Sequence, residues 1–183
     1  TGTAGNMVGV SPGSAVTVTG TLSAGTTVTG ATAPGPAAKF DAQAAYTAGK
    51  NQTPFTSLVQ TDLGGGTVLT AGHYTMSAAT ESLTGNLTLD GGNNPAAVFI
   101  FDTAAILATA NSSTISLTNG AQACNVFWLI GSSASLGTNS SFVGHIIANT
   151  LVAAATGAQI AGSLTSLTAA VTLDGNTITN NNC

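Results

Sequence analysis

Short alternations of apolar and polar residues run along most of the chain, broken every few positions by Gly or Asn, as in "VTVTGTLSAGTTVTG" (16–30) and "NLTLDGGNNPAAVFIF" (86–101). A period of two with such punctuation predicts short β-strands. One segment departs from it. "PAAKFDAQAAYTAGK" (36–50) is alanine-rich, opens on a proline suited to a first helical turn, and sets Phe40, Ala44 and Ala48 along one side at i, i+4 spacing. It predicts the only substantial helix, over about 36–50, with Gly49 and Pro54 ending it.

A longer period lies over the strands. Phe142, Ile160 and Ile178 recur at 18-residue intervals, each just after a polar turn. That interval is too long for a hairpin repeat and fits one turn of a triangular β-solenoid, with those three side chains in one inward column. Aligning Leu136 with Ala154 and Leu173 makes one interval a residue longer, so the last corner is read as a residue tighter. On periodicity alone a β-sandwich stays open as the alternative. Either way the fold class is mainly β, and 183 residues suit a single domain over 1–183.

Composition narrows the function. Only 4% of residues are charged, and none from Thr103 to Leu173, against roughly a quarter in ordinary soluble domains. With a net charge of −4 and two cationic side chains, Lys39 and Lys50, little is available to neutralise a phosphate backbone or an anionic bilayer, so no nucleic-acid or membrane partner is expected. The longest apolar stretch, "AAVFIFDTAAILATA" (96–110), is interrupted by Asp102 and is too short to span a bilayer. Charge is the usual guard against edge pairing and aggregation, so its absence over a whole face points to a partner for that face.

Catalytic groups are scarce. Asp90 in "LDGGN" and Asp174 in "LDGN" stand in turn sequences where Asp caps its own backbone, and Asp41 lies in the helix beside Lys39. His73 and His145 have no Cys, His or carboxylate at metal-ligand spacing and read as surface or satisfied strand residues. No nucleophile elbow or phosphate-binding glycine loop is present, so neither an enzyme nor a cofactor or metal is expected; an enzyme reading would need Asp102 and Asp174 to converge. Trp128 reads as core or as a contact of the helix, with stacking on a sugar as its functional alternative, and Asn119 as a corner residue. Cys124 and Cys183 allow one disulfide, or two free thiols. Asn51, Asn86, Asn111 and Asn139 head N-x-S/T triplets, which arise often by chance in a chain of this composition.

The stretches "AAVFIF" (96–101), "NGAQACNVFW" (119–128), "GSSASLGTNSSFVGHIIA" (131–148) and "AVTLDGNTIT" (170–179) resemble the microbial family of secreted ice-binding, or antifreeze, proteins. The likeness extends to "VGVSPGSAVT" (8–17), the alanine-rich helix and "GGGTVLTAGHYTM" (64–76). It implies an irregular right-handed β-helix of triangular cross-section with one long α-helix alongside, and an N-terminal segment inserted out of sequence order. It also implies a secreted monomer whose partner is an ice crystal surface. One departure stands out: "TGTAGN" (1–6) resembles the family's opening, yet runs directly into "VGVSP" where relatives carry a further strand and turn.

If Leu136, Ala154 and Leu173 point inward, Ser135, Ala153 and Thr172 point outward. Corner residues Thr138, Ser140, Thr156 and Ala158 follow them, and "TANS" (109–112) adds Thr109 and Asn111. These nine residues are the expected ice-binding set on the resemblance. Leu151, Ala153 and Ala155 make the surface flat but poorly hydroxylated, so moderate thermal hysteresis is expected. An adhesion or carbohydrate-binding solenoid is the alternative function.

Overall fold

The computed structural model describes residues 7–10, 17–19, 26–29 and 35–179, with side chains from Lys39 onward. Every strand pair in the described residues is parallel. Strands β1 (Met7–Val10) and β3 (Thr26–Thr29) pair with each other. A six-stranded sheet holds β2 (Thr17–Thr19), β17 (Val171–Asp174), β15 (Val152–Ala154), β13 (Ala134–Leu136), β10 (Ile106–Thr109) and β7 (Thr80–Leu83), in that spatial order. β2 lies beside β17 at one end of this sheet, so an N-terminal strand is placed out of sequence order next to a C-terminal one.

A ten-stranded sheet has two arms that share β14 (Ser141–Ala148). One arm holds β5 (Thr67–Thr70), β8 (Asn86–Asp90) and β11 (Thr114–Thr118), reaching β14 at Ser141. The other holds β4 (Thr56–Leu58), β6 (Gly72–Met76), β9 (Phe99–Thr103) and β12 (Val126–Ile130), reaching β14 at His145–Ala148. β16 (Gln159–Ser166) follows β14 along its whole length, and β18 (Thr177–Thr179) pairs with the first part of β16. The two arms meet at Gly144 and Gly162. A Cβ on Gly162 would stand 2.0 Å from the Gly144 carbonyl oxygen, and one on Gly144, at φ +109°, 2.7 Å from that of Val126. Only glycine lets adjacent bent strands approach that closely.

The register gives the coil period. Phe142, Ile160 and Ile178 are paired in one column, and Leu136, Ala154 and Leu173 in another, with the second step a residue longer. Earlier coils are longer: Phe99 pairs with Val126, 27 residues on. The added residues form two loops between the arms, 91–98 and 119–125. These loops stack on each other, with Gly91 N–H donating to Thr118 O at 3.0 Å and Asn93 N–H to Asn119 O at 2.8 Å. Asn119 turns its corner with φ +48°, a conformation that Asn adopts more readily than most residues.

Side chains alternate in and out along the strands, and the inward set forms one apolar core. At its centre Tyr74, Phe101 and Trp128 are register partners, with the Phe101 and Trp128 rings stacked at 4.1 Å and Phe142 against Trp128 at 5.2 Å. Trp128 is wholly buried and its Nε1–H donates to the Val143 carbonyl at 3.0 Å.

Helix α1 (Gly35–Lys50) packs on the second arm. The side that carries Phe40, Ala44 and Ala48 is exposed, while Ala42 and Tyr46 pack against Leu129, Ile147 and Leu167. Alanine recurs around much of this helix, so i, i+4 spacing fits more than one side. The contact is decided by Gly49, whose missing Cβ would lie 2.6 Å from Leu129, and by Lys50, whose Nζ is 2.6 Å from Asp102 Oδ1.

One buried group conflicts with the apolar interior. Glu81 on β7 points inward opposite Leu107, wholly buried. Its Oε1 accepts from the Ala78 N–H at 2.8 Å, while Oε2 has no hydrogen-bond partner. Burial pushes the carboxyl above its usual range, against a smaller opposite pull from the Ala78 amide. The folded chain then holds this proton more tightly than the unfolded one, so Glu81's contribution to stability is full at low pH and is lost as pH rises through the raised value. Glu81→Gln is expected to flatten that slope. Denaturant unfolding across the mildly acidic to neutral range checks this, and an unchanged slope would clear Glu81.

Candidate ice-binding face

The six-stranded sheet carries the candidate surface. Leu136, Ala154 and Leu173 are buried, so period-two alternation turns Ser135, Ala153 and Thr172 outward. The three are register partners, and the same column continues through Ala108 to Ser82 on one side and, by backbone position, to Thr17 on the other. Strands about 4.8 Å apart, with side chains repeating at about 7 Å along each, give such a face a two-dimensional grid. A second row passes through Ser133, Leu151 and Ala170, whose carbonyls accept from Leu107, Ala134 and Val152 at 3.0, 2.9 and 3.1 Å.

The corner beside this sheet is built from small polar groups bonded to backbone. Gly137 N–H donates to Thr109 Oγ1 at 2.9 Å, and Thr138 N–H to Asn111 Oδ1 at 3.0 Å. Asn139 turns the chain with φ +54°. Thr156 is exposed and donates its hydroxyl hydrogen to the Asp174 carboxylate. Three of the nine expected residues are corrected, two of them outright: Ser140 is 1% exposed and Ala158 fully buried, leaving them no surface to offer. Counting back by two from the inward Phe142 and Ile160 explains it, because each strand's inward phase already begins at Ser140 and Ala158. Of the other seven, Ser135, Ala153 and Thr172 share one column and Asn111, Thr138 and Thr156 lie along the corner, while Thr109 ends β10 half-buried in register with the inward Leu83, which corrects its expected outward placement. Ser82, Ala108 and Asp174 join the surface without having been expected there. For Ser82 and Ala108 the signal was hidden by the longer early coils, which break the 18-residue register.

The remaining polar groups sit elsewhere. Asp90 accepts from the Gly92 N–H at 2.8 Å, as a turn Asp does, and from Asn119 Nδ2 at 2.9 Å, and these bonds hold its carboxyl below the usual range. Asp174 differs from the turn expectation, its carboxylate being taken by Thr156. Asp102 is bound to Lys50 on the helix side, on a different sheet from Asp174. His73 Nδ1 lies 2.8 Å from the Gln52 carbonyl. His145 stacks on Phe127 with Nδ1 2.8 Å from Ser163 Oγ, and burial lowers its pKa. The burial of Trp128 removes the side chain that would have stacked on a sugar. Among the described residues no three His, Cys, Asp or Glu gather as metal ligands, and no helix is long and apolar enough to cross a membrane. Cys183 and the opening motif "TGTAGN" (1–6) lie outside the described residues.

Comparison with known proteins places the chain in a family. The chain is 41% identical over 180 residues to an ice-binding protein of Nostoc sp. (strain HG1), covering 94% of this chain but 64% of that protein, so it spans less than two thirds of that relative. Among solved structures, an ice-binding protein from the Antarctic ascomycete Antarctomyces psychrotrophicus superposes with TM-score 0.85 at 38% identity, over 98% of this chain and 87% of that one. One from an Antarctic biological consortium gives 0.82 at 29% identity, over 94% and 85%. The ice-binding-like family model matches residues 1–179, and with strands, helix and a charge-poor registered face all in place, the chain belongs to the ice-binding-like family.

Proposed function

We propose that this protein adsorbs to ice through the outward face of the six-stranded sheet, producing thermal hysteresis and inhibiting recrystallisation. The observation that carries the reading is the registered column of small residues, Ser82, Ala108, Ser135, Ala153 and Thr172. A flat, rigid, nearly charge-free grid can order surface water into an ice-like layer, and many weak contacts made at once add to very slow release. Ice then grows as curved fronts between adsorbed molecules, which lowers the freezing point.

The same reading makes the two arms and the six-stranded sheet the three sides of a right-handed β-helix of triangular section, folded as one domain. It makes the chain a secreted monomer, with a Cys124–Cys183 disulfide tying down the C-terminus and no enzymatic activity. Purified protein in a nanolitre osmometer is expected to give faceted crystals and a gap between melting and freezing. Round, freely growing crystals would overturn the proposal and favour a glycan ligand, which a glycan array would then reveal.

A further inference from the structure

Among the described residues the outward side of the six-stranded sheet carries a carboxylate near each end: Asp62, bridged to the outward Ser82, and, within the named strands, Asp174. Asp174 ends β17 two positions after the outward Thr172, and Leu173 between them is buried. A bare carboxylate would organise water around itself in a manner unlike ice, so its presence there needs a reason. The Asp174 backbone is held by two bonds, its N–H donating to Asn176 Oδ1 at 2.6 Å and its carbonyl accepting from Gly157 at 3.1 Å, and the Asn176 amide is itself anchored, Nδ2 donating to the Ala155 carbonyl at 2.7 Å. The carboxylate so fixed receives the hydroxyl hydrogen of Thr156.

The geometry points to Asp174 as a positioning residue that locks the Thr156 side chain in one rotamer on the ice-binding face. A threonine hydroxyl that donates to a fixed acceptor cannot rotate freely, and because hydroxyl and methyl share one Cβ, fixing the first fixes the second. The hydroxyl oxygen keeps its acceptor capacity for lattice water, while the carboxylate gains a donor that satisfies part of its charge. The arrangement recurs at the opposite end of the sheet. There Asp62 takes the hydroxyl hydrogen of the exposed Thr84 and, at 2.9 Å each, the N–H groups of Thr84 and Gly64. Both ends of one corner therefore use an aspartate to hold a threonine.

This inference rests on the ice-binding reading, and its test separates the two. Hysteresis is measured at matched concentration for the wild type, Asp174→Ala, Asp174→Asn, Thr156→Ala and the Asp174→Ala/Thr156→Ala pair, with thermal melts to follow folding. Asp174→Ala and Thr156→Ala are expected to lower hysteresis by the same factor, the pair by no more than either, and Asp174→Asn, which keeps an acceptor oxygen, to retain the wild-type value. Three-bond couplings to the Thr156 methyl give a second readout that needs no ice. A single rotamer is expected in the wild type and in Asp174→Asn, and averaging in Asp174→Ala. Wild-type hysteresis in Asp174→Ala, additive losses in the pair, or an averaged Thr156 rotamer in the wild type would overturn this role alone. Round crystals from the wild type would overturn the ice reading and this role with it.

Discussion

Ala153→Tyr is expected to remove most of the freezing gap while leaving the fold intact. Ala153 sits between Ser135 and Thr172 in the outward column of the six-stranded sheet, with no large side chain outward in that column to hide a ring. A tyrosine there projects beyond its neighbours and holds the whole sheet away from a planar crystal. Because contacts made together are lost together when geometry forbids simultaneous engagement, the expected fall is about tenfold rather than one residue's share. Osmometry at equal concentration measures it, with a thermal melt to show that the protein remains folded. The same substitution at the exposed Ser163 on β16 serves as the control. Full hysteresis in a folded Ala153→Tyr protein would place ice on another face.

The largest loss of stability is expected from Trp128→Ala. The ring is wholly buried between Phe101 at 4.1 Å and Phe142 at 5.2 Å, and these neighbours belong to two different strands, β9 and β14. Truncation leaves a cavity that the stacked coils cannot close, since each strand is held by partners on both sides, and costs about 4 kcal/mol. It also deprives the Val143 carbonyl of the indole donor. Urea unfolding with and without the substitution gives the number, and Trp128→Phe should recover a large part of it. A loss under about 1 kcal/mol, the range usual for surface changes, would mean that the aromatic stack does not organise this core.

Much of this architecture was legible in the residues because it rests on local repetition. The 18-residue spacing of Phe142, Ile160 and Ile178, the longer step to Leu173, and the alanine-rich helix each follow from one physical rule applied to a short stretch. The early coils were not legible in the same way, since the loops at 91–98 and 119–125 interrupt the period and conceal that Ala108 stands over Ser135. The packing face of the helix was not legible because alanine on several sides leaves the contact to be chosen by one missing Cβ, at Gly49, and one ion pair. Corner residues were the weakest part of the site. Ser140 and Ala158 follow corner threonines in sequence, the half-buried Thr138 and the exposed Thr156, yet the next strand's alternation has already claimed them. Asp174 was hidden for a related reason: "LDGN" is a common turn string, and only the stacking of one coil on the next brings Thr156 within reach of its carboxylate.

The two stacked loops between the arms have a practical bearing. They are held to each other, Gly91 to Thr118 and Asn93 to Asn119, and they join the arms of the ten-stranded sheet rather than touching the six-stranded one. Extra residues already enter the coil there without disturbing the strands that follow. With ice on the six-stranded sheet, as proposed, a fluorophore or a fused partner attached at this corner would ride on the side of the molecule turned away from the crystal, reporting where the protein lands without standing between it and the ice.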